Sequence, residues 1–133
     1  MSGTPPLVVV DAANVVGSVP DGWWRDRAAA AERLREALAP LARTGLTRPG
    51  VPAFATSGPL ELVLVVEGAA RGVEATPEVG VIAAEHSGDD AIVELVRSEV
   101  ERRAVLVVTA DRGLKARVLP LGAEVVGPRA VYP

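Results

Sequence analysis

Residues 7 to 14 read LVVVDAAN, a run of mostly β-branched apolar residues that stops at an aspartate. Such a run, without polar alternation, is the pattern of a strand covered on both faces, as in a parallel sheet. The rest of the chain supplies neighbours for it. LELVLVV (60–66) and VGVIAAE (79–85) read as a second and a third strand, and GAEVVGP (122–128) as a last one. AVLVVTADRG (104–113) repeats the opening logic of apolar strand, small polar residue and aspartate.

Helical patterns lie between these runs. After the turn signal VPDG, Ala30, Leu34, Leu38 and Leu41 recur at helical spacing and predict a helix from about Trp23 to Ala39. SGDDAIVELVRSEVERR puts Ile92, Val93, Val96 and Val100 on one face, with Ser87 or Asp89 as N-cap. A short helix from about Arg112 to Leu119 precedes the last strand. Pro40 and the breakers of TGLTRPGVPAFATSGP predict a loop over 43–59, either functional or mobile, and RAVYP reads as a tail. Strands alternating with helices predict one α/β domain over residues 1–133. Its core is a central, mostly parallel twisted sheet of four to five strands, with helices on both faces.

Composition narrows the chemistry. The chain has 133 residues, 49% hydrophobic and 23% charged, enough for one sizeable core. No run approaches the roughly 18 apolar residues of a membrane span, and the N-terminus lacks the basic region of a signal peptide, so a cytoplasmic protein without membrane partners is expected. Cysteine is absent, which excludes disulfides, thiolate catalysis and sulfur-ligated metals. His86 is the single histidine, so a metal site would be built from oxygen ligands. The net charge of -3 argues against binding nucleic acid by bulk basicity, yet thirteen of the fourteen basic residues are arginine, which pairs bidentately with phosphate.

In an open parallel sheet, ligands sit beyond the carboxyl ends of the strands, near the point where strand order reverses. Asp11, Glu67, Glu85, the Asp89-Asp90 pair and Asp111 all fall at or just after predicted strand ends. Each has an ordinary reading by itself. Asp11 and Asp111 could terminate a strand or cap a helix, and Asp89 and Asp90 suit the positive end of a helix dipole. Carboxylates gathered from separate segments at one sheet edge repel unless a cation neutralises them, and oxygen ligands select Mg²⁺ or Mn²⁺.

VVVDAANVVG, GDDAIVELV, VLVVTADRGL and GAEVVGP together resemble the PIN-like nuclease superfamily, in particular its NYN-type ribonuclease domains, nearly end to end. The resemblance implies a Rossmann-like fold and a divalent-metal-dependent ribonuclease that hydrolyses RNA phosphodiester bonds. It implies catalytic roles for Asp11, Asn14, Asp89 and Asp111. Metal ligation would fall to Asp11, Asp89 and Asp111, with Asp90 and Glu67 as further carboxylates. Thr109 matches the hydroxyl residue before the last acid and joins Arg71 and Arg112 as candidate substrate contacts; Arg25, Arg48 and Arg117 are further candidates. One place departs from the pattern: many relatives have a second acid two residues beyond the one matching Asp111, and Gly113 stands there.

RNA is the expected partner, with a homodimer or a protein partner left open. Two other functions compete: a non-catalytic RNA- or protein-binding module of the same fold, and a metal-dependent hydrolase of nucleoside triphosphates. The second lacks a Gly-rich phosphate loop and its lysine. Aspartyl-phosphate chemistry would want an acid two residues after Asp11, where Ala13 stands. Trp23 and Trp24 read as core packing or a helix-start staple, with base stacking as the alternative, and His86 as a surface residue.

Overall fold

The computed structural model of the protein describes residues 3–132, and β1 (Leu7–Asp11) lies at the centre of its sheet. On one side β1 pairs with β2 (Glu61–Val66), which pairs with β3 (Val79–Ala83). On the other it pairs with β4 (Val105–Val108), which pairs with β5 (Glu124–Val126). All four pairings are parallel, so the order is β3-β2-β1-β4-β5 and the sheet expected to be mostly parallel is entirely so. Every residue of β1 is buried, which is what its unbroken apolar run requires.

The alternation of side chains along a strand divides the interior into two cores. Val8, Val10, Leu62, Leu64, Leu106 and Val108 face one layer, made by α1 (Ala12–Gly17), α2 (Arg27–Leu38) and the segment after it. Leu7, Val9, Val63, Val65, Val105 and Val107 face the other, covered by α4 (Gly88–Glu99) and α5 (Arg112–Val118). Helix α4 presents Ile92, Val93 and Val96 to that core, so its N-terminus is held at the carboxyl edge of the sheet.

Several predicted boundaries shift for local reasons. The helix expected from Trp23 begins at Arg27, because Asp26 accepts a hydrogen bond from the Ala29 N–H (3.0 Å) and so caps the helix three residues further on. Trp23–Arg25 form a separate 3-10 turn. Helix α1 was not expected at all: AANVVG has little helix propensity, and the helix forms because Val15 and Val16 are buried and Asp11 caps it.

The predicted loop 43–59 is in large part built into the core. A short helix α3 (Leu41–Thr44) enters it, Ala53–Ala55 form a 3-10 turn, and Leu46 and Ala55 are fully buried. The Leu46 N–H donates to the Ala55 carbonyl at 2.8 Å. Gly45 makes this possible, since its φ of 83° and the close approach of the Thr56-Ser57 backbone leave no room for a Cβ. The predicted tail is likewise packed, with Ala130 and Val131 in the first core. Among the described residues no helix is long and apolar enough to cross a membrane.

Ile92 links this packing to the acids of α4. Ile92→Ala should remove about 2 to 5 kcal/mol of stability, measured as the shift in a urea unfolding curve with unchanged slope.

Candidate functional site

Strand order reverses between β1 and β4, whose connections leave in opposite directions across the sheet. Asp11 ends β1 there and is 5% exposed. One of its oxygens, Oδ1, accepts from the Asn14 N–H at 3.4 Å, and Oδ2 accepts from the Thr109 hydroxyl at 2.9 Å. Thr109 Oγ1 in turn accepts from the Asp111 N–H at 3.1 Å, while Asn14 Oδ1 accepts from the Ala110 N–H at 2.7 Å. Two short chains of hydrogen bonds therefore lace the end of β1 to the end of β4.

Asp111 stands at the N-cap of α5, where its Oδ1 accepts from the Leu114 N–H at 2.9 Å. Capping uses one oxygen and leaves Oδ2 for other partners, so the ordinary reading and the functional one are compatible. A Cβ at Gly113 would lie 3.2 Å from Asp111 Oδ1, so an acid there would crowd the cap.

The third and fourth acids come from the opposite layer and the adjacent strand. Ser87, not Asp89, caps α4, its hydroxyl accepting from the Asp90 N–H at 3.1 Å, which leaves Asp89 in the first helical turn with its carboxylate uncommitted to capping. Glu67 follows β2 directly, and its Oε1 accepts from the Gly88 N–H at 3.1 Å. A side chain at Gly88 would push that carboxylate aside and break its hydrogen bond to the Gly88 N–H. Gly88 is a site-shaping residue that the sequence reading missed, and only the pairing of β2 with the α4 N-terminus exposes it.

Electrostatics tie these four acids into one group. Burial pushes the Asp11 carboxyl up to about 6; the Thr109 and Asn14 hydrogen bonds oppose the rise, and the charges of Asp89 and Glu67 add to it. Asp89 is also raised, first by burial and then by Asp111 and Glu67, with Arg117 pulling the other way. Each of the four thus feels at least one other, and none of them is paired with an arginine among the described ion pairs. No three Asp, Glu or His side chains among the described residues lie close enough to grip a metal ion directly.

Other expected site residues fall elsewhere. Asp90 is exposed and bonded to Arg117 at 3.0 Å, a hydrogen bond that holds its carboxyl below the usual range, so it has a cationic partner that the four acids lack, although its charge still adds to the rise at Asp89. Thr109, expected to touch substrate, is 2% exposed with its hydroxyl engaged by Asp11 and Asp111; it positions the acids instead. Glu85 lies two residues past the edge strand β3 and is exposed, as is His86. Arg71 and Arg112 are exposed near the ends of β2 and β4 and have no side-chain partner among the described residues. Arg117 is taken up by Asp90.

Two concavities flank the acids. A groove of about 970 Å³ runs past Ala110, walled by Arg48 and Pro49 from the segment after α3 and by Arg129 from the packed C-terminal turn. The Arg48 side chain is fixed by donating to the Arg129 carbonyl at 2.7 Å. No acid lines this groove. On the opposite flank a cleft of about 120 Å³ lies between α1, α2 and the turn after β2, with Glu67 in its wall.

No protein-family model matches the sequence, and no curated protein matches it either. Among solved structures the chain is similar to Rae1 (YacP) from Bacillus subtilis, with a TM-score of 0.70 at 18% identity over 93% of this chain and 70% of that one. A point mutant of the same protein superposes with a TM-score of 0.66 at the same identity and coverage. The likeness is one of fold: a single α/β domain with a five-stranded parallel sheet flanked by helices.

Proposed function

We propose that the protein is a divalent-metal-dependent ribonuclease acting at the carboxyl edge of the sheet. The observation that carries this reading is the buried Asp11 carboxylate at the point of strand reversal, grouped with Glu67, Asp89 and Asp111, none of which forms an ion pair with an arginine among the described residues. A fold does not keep an uncompensated buried carboxylate for stability, since burial disfavours its charged form.

The donor set fits a hard cation in kind, being all carboxylate. Mg²⁺ binds through one or two carboxylates and keeps several of its waters, so four acids that do not close on one point suit it better than a tight protein cage. Asp11, with Asp89 and Asp111, would hold such an ion, with Glu67 as a further carboxylate. Once bound, the ion supplies an activated water and counter-charge for the scissile phosphate.

The chain's own residues do the rest. Thr109 and Asn14 fix the orientation of Asp11 against the end of β4. Arg71 and Arg112, four residues after Glu67 and one after Asp111, are exposed without a side-chain partner among the described residues, and Arg48 and Arg129 line the acid-free groove that reaches Ala110 beside Asp111, so phosphates of a bound strand would find arginines available there.

Two observations favour the second reading, a non-catalytic RNA-binding module: no three acids among the described residues lie close enough to grip a metal ion together, and Gly113 stands where many relatives of the PIN-like pattern have another acid. Metal titration separates the two. Millimolar Mn²⁺ should raise the melting temperature of the wild-type protein and not that of Asp11→Asn. Cleavage of single-stranded RNA should fall at least a hundredfold in that variant; wild-type protein that binds RNA but neither cuts it nor responds to metal would establish the module.

Acidity gives a separate check. The folded Asp11 lies above its ordinary value of 3.8, so in metal-free protein its contribution to stability is fully present below pH 3.8 and is lost as pH rises through about 6. Relative to Asp11→Asn, the wild type should therefore lose roughly 2 to 3 kcal/mol between about pH 4 and pH 7.5. Urea unfolding at several pH values measures this difference, and saturating Mn²⁺ should reduce it.

A further inference from the structure

Neither the four acids nor the arginine groove accounts for the cleft on the other flank or for the segment WWRDR (23–27) beside it. Ala12, Val16, Ala31 and Ala70 make the cleft mostly apolar; the Trp23 ring forms one wall, and Arg27 and Glu67 bring polar groups of opposite sign. Its volume of about 120 Å³ is roughly that of four waters. That is room for one flat heterocycle and too little for a base pair.

Trp23 is held for such a role. It packs partly against the first core, meets Trp24 edge to face with centroids 6.0 Å apart, and carries the Arg27 guanidinium 5.2 Å from its ring centre. Trp24 is 55% exposed, with Arg25 at 5.8 Å from its ring. Two rings in edge-to-face contact, each with an arginine over it, and with Trp23 and Arg27 lining the cleft, form a platform on which a base stacks while its phosphate meets cations.

Position decides what the platform would hold. Ala12 and Ala13, which line the cleft, directly follow Asp11, and Glu67 belongs both to the cleft wall and to the four-acid group. We infer that this cleft seats a single unpaired nucleobase of the RNA, stacked on Trp23, so that the phosphodiester attached to it lies over the carboxylates. This rests on the ribonuclease reading and narrows the substrate to single-stranded or locally unpaired RNA, because a paired base cannot enter.

Both tryptophans of the chain lie in this segment, so fluorescence excited selectively at tryptophan reports on the segment. The protein to use is Asp11→Asn in Mg²⁺ buffer, which binds without cutting. A labelled single-stranded ribo-oligonucleotide followed by anisotropy gives total binding, the unlabelled strand gives tryptophan quenching, and inorganic polyphosphate serves as a backbone without bases. The oligonucleotide should quench with the same Kd that anisotropy reports, and polyphosphate should not quench. Adding Trp23→Ala should weaken binding about tenfold, and Trp23→Phe should restore most of it. Ala13→Leu, at an exposed position, should fill the cleft and weaken binding similarly without disturbing the core.

Oligonucleotide binding with no quenching, and with affinity unchanged in Trp23→Ala and Ala13→Leu, would overturn the base seat while leaving the ribonuclease reading intact. Absence of binding together with absence of cleavage by the wild type would overturn both.

Discussion

A buried carboxylate at the end of the central strand is the constraint around which the rest of this structure is arranged. Strand β1 is flanked on both sides and covered on both faces, so its last residue cannot turn out to bulk water. An aspartate there is costly, and the neighbourhood only partly offsets the cost: the Thr109 hydroxyl and the Asn14 N–H donate to it, while Asp89 and Glu67 act against it. The hydrogen bonds that stabilise Asp11 also set the geometry of the edge, because Thr109 and Asn14 connect it to the backbone that leads into Asp111.

The two edges of the sheet treat their acids in opposite ways. At the amino edge Arg103 bridges Glu99 at 2.8 Å and Glu61 at 2.7 Å, donates to the Pro5 carbonyl, and is joined by Arg102 on Glu99. Glu61 and Glu99 there each have a guanidinium. At the carboxyl edge four acids face one another, and the nearby arginines are either committed to Asp90 or left free. A protein with a net charge of -3 thus places its neutralised charge where the fold needs fastening and its unneutralised charge at the strand reversal. The acid-free groove reaches that edge at Ala110, next to Asp111, and the tryptophan cleft reaches it at Glu67 and at Ala12, next to Asp11.

Much of this was legible in the residues. Unbroken β-branched runs gave the parallel sheet, and the repeated pattern of strand followed by aspartate brought Asp11 and Asp111 to one edge. The misplacements have physical causes. The helix starting at Arg27 follows a cap whose hydrogen bond lies in side-chain geometry, and α1 forms by tertiary burial against its weak propensity. Asp90 was grouped with the acids because it adjoins Asp89, but one residue along a helix turns a side chain by about 100°, which is enough to deliver it to Arg117 instead.

What the sequence determined by itself was the class of fold and the kind of chemistry available, since periodicity dictates which faces are buried and the lack of cysteine leaves oxygen donors. Tertiary structure alone decided which acids meet. Gly88 matters because it must pass against Glu67, Thr109 because burial turns its hydroxyl onto Asp11, and Trp23 because α1 and α2 leave a cleft beneath it. Those relations join residues distant in the chain, and they exist only once strand order and helix packing have set the distances.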